Sequence, residues 1–367
     1  MKFEIFEMER TQSIWENRVE INLAESGVEP MTLGELLEGA SVDDTRLGYP
    51  QTNGTELLRE RVSDLYPGAD TDNVVIANGC AEANYLTVTH LIEAGDEAVV
   101  MMPNYMQVWG LARSLGAKVK PLPLREESGW APDLDELSGI VTDKTKLIAL
   151  CNPNNPTGAV MSEDTMREIA KIAGRVGAWI LSDEVYLGAE LEGEISPTFY
   201  GWYDRLIVTA GLSKAYALPG LRIGWMVSDR DKASELWSYK DYTTISPSSL
   251  SDRLAAMALE PAHRHRILER TRRIVNDQLP VVDAFVERHS DHMSFVPPKA
   301  GAITFIRYDW DINSTELMVK LRDEKGLFIV PGDHFERDGY IRIGYGYDKS
   351  KLEEGLKRFS QFIGALD

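Results

Sequence analysis

The chain carries only two cysteines, Cys80 and Cys151, so no disulfide framework holds it together and a reducing compartment is expected. Positive charge is scarce as well: 39 Lys and Arg face 58 Asp and Glu, a formal net charge of −19. That balance argues against nucleic acid or an anionic membrane surface as a partner, because both select basic patches. No stretch approaches the roughly 18 unbroken apolar residues of a spanning helix. The opening MKFEIFEMERTQ has neither the basic start nor the apolar core of a signal peptide, and a cytoplasmic location is expected. The six histidines include one close pair, His263 and His265, whose spacing puts them on different faces of a helix; no metal site is expected. Internal repeats and low-complexity segments are missing. So is a G-x-G-x-x-G between strand and helix, since ANGCAEAN does not supply one, and a nicotinamide oxidoreductase loses its main signal.

What remains is an ordinary globular composition, 43% apolar and 26% charged, over 367 residues, enough for a large enzyme core or two domains. Short β-rich runs recur: NVVIAN (73–78), EAVVMM (97–102), AKVKPLPL (117–124), KLIALC (146–151), AWILSD (178–183) and RLIVTA (205–210). They are nearly continuous in apolar residues, as expected of strands covered on both faces. Helical patterns separate them, such as AEANYLTVTHLIEAG and SEDTMREIAKIAGRVG; the second sets Met166, Ile169, Ala170 and Ala173 on one stripe behind a Ser162 N-cap. Strand, helix, strand predicts an α/β fold with a mostly parallel central sheet sandwiched by helices. After about Ser248 the texture changes to a long helical stretch, interrupted at Pro261 and kinked or broken near Pro280, followed by a smaller α+β unit. Three parts are expected: an N-terminal segment (1–42) packing with the small domain, a large cofactor-binding domain (43–248), and a C-terminal small domain (249–367).

In open α/β sheets ligands bind beyond the carboxyl ends of the strands. After NVVIAN, Gly79-Cys80-Ala81 opens a helix, whose free amides and dipole favour a phosphate. After EAVVMM comes Tyr105, a ring able to stack on a flat ligand; after KLIALC comes NPNNPTG with the amide of Asn155. AWILS delivers Asp183 and then Tyr186, and RLIVTA leads to Lys214 and Arg222 in GLSKAYALPGLRIGW. Each has an ordinary structural role open to it: helix cap, core ring, loop, surface ion pair. Together at one sheet edge they match the needs of a planar phosphorylated aldehyde with a ring nitrogen. Lysine forms the imine, a carboxylate keeps the ring nitrogen protonated, a phenol and an amide hold the phenolate oxygen, and arginine with glycine amides holds the phosphate.

NPNNPTG, SDEVY and SKAYALPGLRIGW, in this order and spacing, resemble the class I/II aminotransferases, fold-type I enzymes dependent on pyridoxal 5′-phosphate, and the resemblance covers nearly the whole chain. It implies that Lys214 forms the internal aldimine, Asp183 pairs with the pyridinium, and Tyr186 and Asn155 hold the ring oxygen. Arg222 with Gly79, Cys80 and Ala81 would hold the phosphate, and Tyr105 would stack on the ring. Tyr49 in YPQTNG resembles the residue that reaches the neighbouring subunit's phosphate, which implies a homodimer with shared sites. Arg342 in GYIRIGYG would grip the substrate α-carboxylate, a task suited to its planar fork. Many relatives carry a phosphate-contacting Ser or Thr where this chain has Gly211, leaving Ser213 or Thr209 as substitutes. Gly27 is placed near the substrate, with Glu25 and Ser26 as substrate-side contacts.

The implied reaction is amino-group transfer between an L-amino acid and a 2-oxo acid, with Lys214 moving the Cα proton. Elimination, replacement, racemisation or cyclisation of a modified amino acid would use the same residues. A cofactor-binding sensor without turnover is a different class; it would need a DNA-binding head, for which the segment before residue 20 leaves no room. Lys240 is a candidate for an acidic substrate side chain, while Trp15, Trp109 and Tyr239 are candidates for an apolar one, and His334 lies in a loop that borders the pocket or faces solvent.

Overall fold

The computed structural model describes residues 2–364. All six β-rich runs form strands, and runs such as Val74–Ala77, Glu97–Met102 and Leu206–Gly211 are buried along their whole length, as their lack of polar alternation requires. A seventh strand, Gly224–Val227, lies inside a stretch read above only for its chemistry. The sheet runs Val74–Ala77, Gly224–Val227, Leu206–Gly211, Trp179–Asp183, Thr145–Cys151, Glu97–Met102, Lys118–Pro123. Gly224–Val227 is antiparallel to both neighbours and the other pairings are parallel, so Met102, Cys151, Asp183 and Gly211 end at one edge. In register across that edge stand Cys151, Asp183 and Thr209, and beside them Gly211 and Gly224.

Helices cover both faces of the sheet. Glu163–Val176 starts where expected: the Ser162 hydroxyl accepts from the Thr165 amide at 3.2 Å, and Met166, Ile169, Ala170 and Ala173 are buried. Cys80–Leu91 begins at Gly79, whose φ of 83° suits glycine. A glycine is also required at 224. A Cβ there would lie 2.9 Å from the Ala210 carbonyl oxygen and closer still to the Gly79 and Cys80 backbone, so this bare strand end is what lets the helix start sit against the sheet. Gly211 faces Gly224, and a side chain at 211 would come within 3.0 Å of its Cα; that crowding accounts for the glycine where a hydroxyl residue was expected.

The C-terminal part is α+β. Pro261 opens a helix that runs unbroken to Arg288, so Pro280 does not break it. Beyond it, Val330–Pro331, Tyr340–Gly344, Ile303–Tyr308 and Met293–Phe295 form an antiparallel sheet in that order, and the amphipathic helix Lys349–Ile363 follows. The N-terminal segment joins this part through Ile21–Asn22, paired in parallel with Leu327–Phe328, and through a bridge from Val28 to Gly346. It also carries a helix, Glu7–Trp15, that the sequence pattern did not reveal. Among the described residues no helix is long and apolar enough to cross a membrane.

Gly224→Ala is expected to lower the unfolding free energy by about 1–3 kcal/mol through overpacking against the Gly79–Cys80 backbone. Ser162→Ala, which removes one exposed cap bond, is expected to cost about 1 kcal/mol. Urea unfolding of both variants beside the parent checks the order; a Gly224→Ala chain as stable as the parent contradicts the close approach.

Candidate active site

At the carboxyl edge of the sheet lies a cavity of about 320 Å³. Its walls bring together Cys80, Ala81, Tyr105, Asn155, Asp183, Tyr186, Ser213, Lys214, Arg222 and Arg342, all singled out in the sequence. Gly79 caps the helix beside it, and a Cβ on Gly79 would collide with the Arg222 guanidinium. Gly27 packs on Lys214, with Lys214 Cα and Cδ 3.7 Å from where its Cβ would stand. Tyr49 is elsewhere: it is 84% exposed and lines no part of the cavity.

Asp183 sits at the floor. Asn84 Nδ2 donates to its Oδ2 at 3.0 Å, the Val185 amide donates to Oδ1 at 3.1 Å, and Cys80 Sγ lies 3.6 Å from Oδ1. Burial pushes the Asp183 carboxyl above the usual range, and the Asn84 and Val185 hydrogen bonds draw it back. Asn84 is oriented in turn by Thr209, whose hydroxyl donates to Asn84 Oδ1 at 2.7 Å. Thr209 therefore serves Asp183 and is no substitute for the hydroxyl missing at 211. Ser213 is better placed: Arg222 Nη1 reaches its Oγ at 3.4 Å. Asn84 was missed in the sequence, although its position one helical turn after Cys80 put it on the same helix face.

Lys214 is half-buried, and burial lowers its pKa, opposed first by Glu25 and reinforced by Arg342. Burial likewise raises the pKa of Tyr186, while Arg342 and a hydrogen bond with Ser26 lower it. Arg342 is 1% exposed, and it donates from Nη1 to Asn155 Oδ1 at 3.0 Å and from Nη2 to the Ala24 carbonyl at 2.5 Å. The remaining wall comes from the N-terminal helix: Met8 Sδ lies 3.8 Å from Arg342 Nη1, Glu9 Oε1 accepts from the Tyr105 hydroxyl at 2.9 Å, and Gln12 lines the space. No sequence signal tied these three residues to the site.

Other candidates lie outside it. Lys240 is fully buried and committed to Glu82 and Thr244, at 3.3 and 2.5 Å. Trp15 packs under the Arg322 guanidinium at 3.8 Å, Tyr239 packs edge-on against His90, and His334 and Trp109 line a separate cavity. Desolvation moves the His334 pKa down to about 4.

The arrangement suits a flat phosphorylated ring carrying an aldehyde. The first amides of a helix have no partner within it, and Cys80 and Ala81 at this helix start line the cavity with Arg222, whose guanidinium lies where a side chain at 79 would stand, a place suited to a phosphate. A buried carboxylate on the floor favours a protonated ring nitrogen, and an amine whose charge is disfavoured stands across from it.

Comparison with known proteins agrees. The family model for aminotransferase class I and II matches residues 22–359. Capreomycidine synthase of Streptomyces vinaceus is 32% identical over 353 residues, covering 94% of this chain and 90% of that protein. An aspartate aminotransferase of Sulfurisphaera tokodaii is 25% identical, covering 91% and 88%. The crystal structure of a PLP-dependent aminotransferase from Streptococcus suis superposes with a TM-score of 0.93 at 36% identity, covering 100% of this chain and 99% of that one.

Next to Asp183, Glu184 is 2% exposed, and its Oε1 accepts from Ser182 Oγ and the Phe199 amide, both at 2.9 Å. Burial pushes its pKa up to about 7 from 4.5. A carboxyl whose pKa is raised on folding binds its proton more tightly in the folded state, so its contribution falls as pH rises from about 4.5 to about 7, by on the order of 3 kcal/mol. Glu184→Gln keeps the acceptor and removes the titration. The variant's unfolding free energy, measured in urea at pH 5 and pH 7.5, is expected to gain on the parent's as pH rises; parallel curves would contradict the raised pKa.

Proposed function

The chain belongs to the class I and II aminotransferases and uses pyridoxal phosphate, and on that premise we propose that it moves an amino group between an L-amino acid and a 2-oxo acid, with Lys214 at the centre of the chemistry. The observation that carries the proposal is the meeting of Lys214, Asp183 and Arg342 in one cavity from three distant parts of the chain. When bound, the cofactor supplies an aldehyde for amines and a ring that accepts the electron pair released at the substrate Cα. The protein residues do the rest. Lys214 Nζ, kept from its charged form by burial, would take the proton from the substrate Cα and hand it to the carbon that had been the aldehyde, so that the amino group is left behind. Asp183, braced by Asn84 and Val185, would accept a hydrogen bond from the ring nitrogen. Tyr186 and Asn155 would hold the ring oxygen, Tyr105 would cover the ring face, and Arg222, Ser213 and the Gly79–Ala81 turn would hold the phosphate; all but Gly79 line the cavity. Arg342 receives the substrate carboxylate as a fork, and Gly27 leaves space beside Lys214.

Residues 43–248 form the cofactor-binding body in this proposal and 249–367 the smaller one, with 1–42 closing the site between them. A homodimer is supported by exposed apolar side chains on two neighbouring stretches. Leu47 and Tyr49 are each 84% exposed and Tyr242 is 92% exposed, with the stretches joined by the Trp237 Nε1 to Thr52 Oγ1 bond at 2.9 Å. Tyr49 would then reach the partner's phosphate. The two unbridged cysteines support a cytoplasmic setting.

A second reading keeps the cofactor and changes the bond broken, as in cyclisation, elimination, replacement or racemisation. It is favoured by the 32% identity to capreomycidine synthase, a protein named for a synthesis rather than an amino-group transfer.

Purified holoenzyme given single L-amino acids without a 2-oxo acid is expected to lose its visible absorbance and release one equivalent of 2-oxo acid. Catalytic product formation without that release would establish the second reading. Lys214→Ala is expected to abolish turnover, and Asp183→Asn to lower kcat by on the order of 10³ while some cofactor stays bound. Sedimentation velocity is expected to give twice the chain mass of 41.1 kDa; a monomer would remove Tyr49 from the site.

A further inference from the structure

The cavity has two electrical poles. Arg342 is the positive one: buried and lining the cavity, it has hydrogen bonds only to a carbonyl, an amide oxygen and a thioether, no carboxylate partner among the described residues, and an Nε with no partner at all. A desolvated guanidinium left in that state points to an anionic group of a ligand.

The negative pole is on the N-terminal helix. Glu9, Gln12 and Glu16 follow one another at i, i+3 and i+7 and share one face, and Glu9 and Gln12 line the cavity. Glu25 precedes Ser26, another lining residue. The three carboxylates feel one another and Lys214: the Glu16 pKa is raised by burial, then by Glu25 and Glu9, and Glu25 and Glu9 both act on Lys214. None of the three has an ion pair with a lysine or arginine among the described residues; Glu9 accepts from Tyr105, and Glu16 has only a 3.4 Å bond from Asn17. The cations of the cavity, Lys214, Arg222 and Arg342, already have tasks, and Lys240 is buried against Glu82. An acidic substrate side chain therefore finds no uncommitted cation among the described residues lining the cavity, and it meets Glu9 on the wall, with Glu16 farther along the same helix face.

The geometry fixes the span. Met8 touches Arg342, and with a rise of 1.5 Å per residue Gln12 lies about 6 Å and Glu16 about 12 Å farther along the helix axis. A ligand held by its carboxylate at Arg342 passes Glu9 and Gln12, which line the cavity, and reaches Glu16 only if its side chain is long. We propose that the substrate is a basic amino acid of lysine or arginine length, its terminal cation received by the wall of Glu9, Glu16 and Glu25. This deepens the function proposed above and rests on it.

The test is a titration of the holoenzyme's visible band with L-arginine, its neutral isostere L-citrulline, L-lysine, L-norleucine and L-glutamate, reading the half-saturating concentration rather than turnover. Arginine and lysine are expected to saturate at least about tenfold below citrulline and norleucine, with glutamate weakest. In Glu16→Gln/Glu25→Gln the ratio of the citrulline to the arginine value is expected to fall toward one, a ratio in which any change common to all the amino acids cancels. Citrulline, norleucine or glutamate binding as tightly as arginine would overturn the assignment and leave the enzyme class standing, as would a preference that survives in the double variant. A visible band that no amino acid shifts would bring down the amino-acid function itself.

Discussion

The buried guanidinium of Arg342 is the constraint around which the site is assembled. A charge that is 1% exposed is tolerable only with hydrogen-bond partners around it, and its partners come from far away in the chain: Ala24 in the N-terminal segment and Asn155 in the NPNNPTG turn, with Met8 in contact. Satisfying one side chain thus ties the C-terminal sheet, the N-terminal segment and the large sheet together. The pairing of Ile21–Asn22 with Leu327–Phe328 and the bridge from Val28 to Gly346 hold the N-terminal segment where Ala24 can accept.

Opposite that cation, the large sheet supplies an anion. Asp183 ends a buried parallel strand, where desolvation works against its charge, and the chain from Thr209 through Asn84 to Asp183 offsets part of that cost with hydrogen bonds. Lys214 lies between the poles and is pulled both ways: burial and two arginines favour the free amine, and Glu9 and Glu25 favour its charge. Glu25 and Glu9 therefore oppose the proton loss that burial favours at Lys214 without outweighing it.

Much of this was legible along the chain. Five of the six strands announced themselves because a strand buried on both faces carries few polar residues, Lys118–Pro123 being a partly exposed edge strand, and the chemistry followed because parallel strands all end at one edge. The strand Gly224–Val227 was hidden, since its glycine and its place after Arg222 made it look like part of a loop motif. Pro280 suggested a break that does not occur: packing of Val275, Gln278, Val282 and Phe285 keeps the helix going past the missing amide. Thr209 and Lys240 carried the right groups for the cavity, but their partners, Asn84 and Glu82, turn them to other uses.

By itself the sequence determined six strands of the large sheet, the family-like motifs and which chemical groups end at the sheet edge, because those depend on local periodicity and on spacing within short segments. Only the tertiary structure decided which face of the N-terminal helix closes the cavity, and so that Glu9 and Gln12 line the same space as Lys214. That helix is weakly patterned and separated by some two hundred residues from the lysine it faces. Its position is set by distant partners, the Tyr105 hydroxyl and the Arg342 guanidinium, and contacts of that range leave no periodic trace in the chain.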